Sequence, residues 1–235
     1  MKRTAFLAGS ATMVAAAGTA ASAQTVPGGT RLVERRADFD AAAFAKAAGR
    51  PAQIRQLWEA VAFKPVLLNN IKNAFNGLQF GWGYPADAIA IVLAGHGASA
   101  AYGFSDEIWQ KYHIGAFQSI VGASGAPLGS NVYLAAHAKF DPSADPDDLG
   151  GMYEDTSIAM LQRRGLIVLT CHTAVEEQSR AIVKKGLAPP GMSATDVADD
   201  ILTHLIPGAI VVPSMVGAVA VLQAEYRYTY ATLGG

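Results

Sequence analysis

Three short, uninterrupted apolar runs constrain this chain more than any other feature: Asp87–Ala94 (DAIAIVLA), Leu166–Thr170 (LIVLT) and Ala209–Val212 (AIVV). A strand with one face in water alternates apolar and polar residues, whereas a strand covered on both faces does not. Each run is too short for a typical helix, and Pro85, Gly95 and Gly165 bound the first two. Segments with apolar residues three and four apart lie between them, as amphipathic helices require. Strands alternating with helices predict an α/β fold, a doubly wound and mainly parallel sheet with helices on both faces, in a single domain.

The remaining segments fit around that frame. Residues 24–62 read as an N-terminal helical extension, in which Arg31, Arg35, Arg36, Asp38 and Asp40 crowd together and Ala41–Ala48 begins a helix. Ile54, Leu57, Trp58 and Val61 then carry the spacing of an amphipathic helix over 51–62, so the α/β domain is expected over 63–235. Pro65–Leu68 is a β-like run ending in Asn69-Asn70, and Ile71, Phe75 and Leu78 mark the helix after it. Ala98–Tyr112 reads as a helix. Residues 115–151 form an insertion rich in Gly, Pro and Asp, with Ser130–Ala138 as a short helix inside it. A stretch this long between elements is usually an interaction loop or otherwise functional. Its aspartates lack the spacing and closing Glu of a calcium loop and read as a solvated turn. Helices are expected at Tyr153–Arg164, stopped by Gly165, at Ala174–Lys185, stopped by Gly186, from a cap at Ser193 or Thr195 to Leu205, and at Ser214–Glu225. Tyr226–Ala231 is a last strand with Tyr226, Tyr228 and Tyr230 on one face.

Charge and processing signals narrow the function classes. Lys2-Arg3, the apolar stretch Ala5–Ala20 and Ala21-Ser22-Ala23 ahead of Gln24 have the form of a signal peptide cut after Ala23, which implies a periplasmic protein. Without Lys2 and Arg3 the 18 basic residues become 16 against 19 acidic ones, a net charge of −3. That balance speaks against a nucleic-acid partner and against an electrostatic membrane anchor. About 212 residues remain, enough for one sizeable core, and no later run approaches a membrane-spanning length. A single cysteine rules out an internal disulfide framework and leaves Cys171 buried and inert, paired with another molecule, or chemically used. No cofactor motif is present. Gly95-His96-Gly97 lacks the third glycine of a dinucleotide loop, Cys171-His172 lacks the second cysteine of a haem site, and no histidine pair has metal-ligand spacing.

From Gly165 to Tyr230 the chain resembles the DsrE/DsrF-like family: a strand ending in Cys171, two helices, Val211-Val212-Pro213-Ser214, Val216, Leu222-Gln223, then Tyr226 and Tyr228. Asp87–Gly97 is similar to that family's earlier strand closing on a glycine turn, and the resemblance extends over roughly 63–230. It implies a sulfur-handling protein in which the cysteine at this strand end carries a persulfide. Its partners would be a small sulfur compound or a protein sulfur donor or acceptor, and its assembly a homo-oligomer, a trimer or hexamer.

Independent of any family, ligands gather at the carboxyl ends of strands in doubly wound sheets. Cys171 ends one strand where a helix begins, and unpaired N–H groups at a helix start favour a thiolate over a thiol. His96, ending the Asp87–Ala94 strand, belongs to the same rim and is a candidate partner of the sulfur. His172 is the next, although neighbours on a strand point to opposite faces. Thr173, Ser214, Gly95 and Gly97 share the rim as candidate ligand-binding positions. So do Asn69 and Asn70, which equally suit a helix cap. Three functions follow: a sulfur carrier working through Cys171, a non-catalytic oligomeric module binding a small molecule or protein with Cys171 in its core, or a redox-sensing thiol.

Overall fold

A computed structural model describes residues 39–233. Five parallel strands form one sheet: β1 (Ile54–Ala60), β2 (Ile89–Gly95), β3 (Leu166–Cys171), β4 (Ile210–Val212) and β5 (Thr229–Thr232), in the order β4-β3-β2-β1-β5. Every residue of β2 is buried, as its unbroken apolar run requires. The first strand lies between β2 and β5, so the winding reverses beside it and the carboxyl rim is split there.

Both faces of the sheet are covered. On one, Leu57, Ala90, Val92, Ala94 and Leu169 pack with α1 (Ala41–Ala48) and α8 (Met215–Ala224) through Phe44, Ala218 and Leu222. On the other, Ile89, Ile91, Leu93, Leu166 and Val168 pack with α2 (Val66–Asn76) and α5 (Ile158–Arg163) through Leu68, Ile71, Phe75 and Leu161. Alternate residues of β2 thus feed two cores, and each fully buried Ile or Leu contributes on the order of 1.5–3 kcal/mol. The remaining helices are α3 (Asp106–Lys111), α4 (Ile114–Phe117), α6 (His172–Lys184) and α7 (Ala194–Thr203), the last held by a capping box between Ser193 and Asp196.

Several expectations need correction. Segment 51–62 is not a helix, because its centre is β1, and the sheet therefore extends upstream of residue 63. Only Leu57 and Ala60 of that strand are buried, while Val61 is 58 % exposed. A half-buried strand whose apolar residues fall at positions 54, 57, 58 and 61 imitates helical spacing. Pro65–Leu68 is no strand either: Pro65 stands before α2 with φ −53°, which suits a helix start. Ala98–Tyr112 divides into a 3-10 turn at Gly97–Gly103 and the short α3. Residues 130–138 are turns rather than a helix, and the helix expected from Tyr153 begins at Ile158. The final three tyrosines do not share a face. Tyr228 is buried ahead of β5, Tyr230 is exposed within it, and Arg227, between Tyr226 and Tyr228, has φ 59°. The signal peptide expected over 1–23 lies outside the described residues. Among those described, no helix is long and apolar enough to cross a membrane.

Beyond α4 at its start, the insertion is organised without helices or strands. Asp155 accepts from the backbone N–H groups of His137, Ala138 and Ser157 at 2.7, 2.9 and 2.8 Å. Burial works against its charge, yet these donors prevail and hold the carboxyl below the usual carboxylate range. Tyr153 Oη donates to Pro142 O at 2.9 Å, drawing the loop over the start of β3.

Candidate functional site

The carboxyl rim carries most of the polar groups expected there. Cys171 is both the last residue of β3 and the N-cap of α6. Its Sγ accepts from Ala174 N at 3.4 Å, inside the first turn of α6, and from Met215 N at 3.3 Å, the first residue of α8. Two helix starts therefore converge on one sulfur. The turns that deliver them are joined again by Thr173, whose N and Oγ1 donate to Pro213 O at 3.3 and 2.8 Å. Such N–H groups, with the positive ends of two helices behind them, are the usual protein cradle for an anion.

Cys171 is only 4 % exposed and packs among the residues of the α8-side core. Openings flank it instead of exposing it. Ser214, whose side chain makes no cap bond to α8, lines a cavity of about 440 Å³ with Phe44, Val212, Ala218 and Tyr226. His172 lines a second, of about 510 Å³, with Asp199, Ile210 and Val211. His172 begins α6, and its Nδ1 lies 4.0 Å from Glu176 Oε1 one turn on. The expected cluster of Cys171, His172, Thr173 and Ser214 is thus assembled by the adjoining ends of β3 and β4.

His96 belongs to another group. Its Nε2 stands 3.0 Å from Glu59 Oε1 at the end of β1, and among the described residues it makes no hydrogen bond to Cys171. The other oxygen of Glu59 accepts from the Tyr230 hydroxyl, and this bond holds the phenol above its ordinary pKa. Glu59, Lys64 and Tyr230 line a cleft of about 230 Å³ there. The sequence does not single out Glu59 or Tyr230, because one falls in the segment that reads as a helix and the other in the alternating tyrosines of the last strand.

Gly95 and Gly97 serve the backbone. A Cβ on Gly95 would stand 2.9 Å from Ser99 O, and Gly97 has φ +57° with Val61 O only 3.0 Å from where its Cβ would lie. Gly97 O accepts from Gln178 Nε2 at 2.6 Å, which ties the β2 turn to α6. Asn69 and Asn70 lie inside α2 rather than at a strand end, with Asn69 exposed between the buried Leu68 and Ile71. They take no part in the rim.

Fold and rim together define a single-domain α/β protein with a five-stranded parallel sheet and a capped thiol at its carboxyl edge. No family model, no curated protein and no solved structure matches the chain.

Proposed function

We propose that this protein handles sulfur in the periplasm, with Cys171 accepting sulfane sulfur and passing it on as a persulfide, in the manner of the DsrE/DsrF-like proteins its sequence resembles. The observation supporting this reading is the convergence of Ala174 N and Met215 N, from two separate helix starts, on Cys171 Sγ. With thiosulfate as donor, the Cys171 thiolate forms an S–S bond to the outer sulfur. The S–S bond of thiosulfate breaks, and its electron pair leaves with sulfite. The thiol proton has already passed to solvent, so the cysteine sulfur becomes a persulfide anion lying against the same N–H donors. An acceptor thiolate then takes the terminal sulfur and returns Cys171 as thiolate. Assembly as a homo-oligomer belongs to the same proposal.

The burial of Cys171 favours a second reading, a non-catalytic module of the same fold that binds a small molecule in the cavity beside Ser214. Alkylation by iodoacetamide without denaturant separates the two. The carrier reading expects complete labelling of Cys171 while the circular dichroism remains that of the folded chain. Labelling that begins only when urea unfolds the protein removes the carrier and leaves the module.

A further inference from the structure

At the opposite pole, where the strands begin, three arginines face one cleft. Arg50 precedes β1, Arg163 and Arg164 precede β3, and together with Phe75, Phe140 and Tyr153 they line a cavity of about 320 Å³. That volume is within the range that holds small ligands. The insertion supplies Phe140 and Pro142, so the loop that interrupts the α/β rhythm forms one wall.

Arg164 is the least satisfied of these groups. It is 8 % exposed, its guanidinium carbon lies 5.1 Å from the ring centres of both Phe75 and Tyr153, and Nη2 donates to Asn76 Oδ1 at 2.7 Å. Its Nη1 is buried with no hydrogen-bond partner among the described residues. Arg50 gives one nitrogen to the carbonyls of Ile89 and Gly165, yet its buried Nε also lacks a partner among the described residues. Burial pushes the Arg164 guanidinium down to about 10, against the opposing pull of Tyr153 and Glu154. A buried cation is costly unless an anion or several acceptors meet it. Among the described residues lining the cleft only Asp87 is acidic, against three guanidinium groups, and the nearby Glu154 pairs with Lys72 at 2.9 Å. The described side chains of this cleft leave the guanidinium charges in excess.

We propose that this cleft binds a small organic oxyanion, a carboxylate or phosphate monoester carried on an aromatic or apolar body. Guanidinium forks match such planar or tetrahedral oxyanions. The Arg164 guanidinium, held at one end by Asn76 and part of the cleft wall, gives its remaining Nη1 donors to the oxyanion on binding. The exposed Arg163 attracts it at the mouth, and Phe75, Phe140 and Tyr153 receive the apolar body. This site lies at the amino ends of the strands and is independent of the thiol chemistry at the other pole.

Calorimetric titration of the intact chain with phenyl phosphate, benzoate and phenol tests the proposal. At least one of the two anions should bind one-to-one with a dissociation constant below about 1 mM, with phenol not binding; whichever anion binds identifies the headgroup. Arg164→Gln should weaken that binding by about tenfold or more. Arg163→Gln and Phe140→Ala, at partly or fully exposed positions, keep the test open should Arg164→Gln fail to fold. Each should weaken binding by about threefold, Arg163→Gln at unchanged melting temperature and Phe140→Ala, whose ring packs on Met152, Tyr153 and Met160, in a chain that still folds. The proposal is overturned if neither anion saturates by about 10 mM. It is equally overturned if phenol binds as well as the anions, or if Arg163→Gln and Phe140→Ala both bind like the parent chain.

Discussion

Replacing Cys171 with alanine removes one atom that serves two helices, and the cost follows from its contacts. The sulfur caps α6 through Ala174 N, and losing an N-cap acceptor costs about 1 kcal/mol. It also accepts from Met215 N at the start of α8, where Met215 is 1 % exposed. A buried N–H left without an acceptor costs about 1–3 kcal/mol. Taken together, Cys171→Ala should destabilise the fold by about 3 kcal/mol, which for a chain this size lowers the melting temperature by roughly 6–12 °C. Cys171→Ser keeps an acceptor at the same place and should cost about 1 kcal/mol. Urea unfolding followed by circular dichroism measures both, with an unchanged slope confirming that only stability has moved. If alanine matches the parent within about 0.5 kcal/mol, the two N–H groups do not depend on the sulfur, and the convergence argued above has no energetic content.

Other consequences concern the fold. Leu57→Ala should cost about 2–5 kcal/mol in urea unfolding because Leu57 is fully buried in β1, whereas Val61→Ala should be near neutral; a helix over 51–62 would place both on one face and penalise both. Gly115→Ala should impair folding severely, by about 4 kcal/mol or more, since its Cβ would overlap the Leu128 carbonyl oxygen and lie 2.7 Å from Leu128 N. Asp155 has a folded pKa below its unfolded value, so the stability it adds is present above about pH 4 and is lost as pH falls through the folded pKa. Asp155→Asn should therefore be less stable near neutral pH and lose less on acidification, as read from urea midpoints across that range.

The buried strands were legible because β2 and β3 are written as continuous apolar runs with turn residues at their ends. The same holds for α7, whose Ser193 cap is local in sequence. The first strand was not, for a physical reason. Its polar residues find partners far along the chain or outside the strand: Arg55 donates to Ala48 O and Arg50 O at 2.7 and 2.6 Å, and Glu59 meets His96 and Tyr230. Without those partners in view, a strand with Arg, Gln and Glu in it reads as a helix with a wet face. Within the site, the place of Cys171 at a strand end was legible, since it depends on the order of elements alone. The second donor, Met215 N, is a backbone group brought from 44 residues away by the adjacency of β3 and β4. No side-chain pattern marks it. The Nη1 of Arg164, without a partner among the described residues, was hidden likewise, because only the folded chain shows which arginine is buried.

Intact-mass measurement of the folded chain after incubation with thiosulfate or polysulfide tests the sulfur-carrier reading most directly. The account predicts a gain of about 32 Da or its multiples on Cys171, reversed by a thiol acceptor and absent in Cys171→Ser. A parent chain that stays at its starting mass, while remaining folded and reduced throughout, contradicts it.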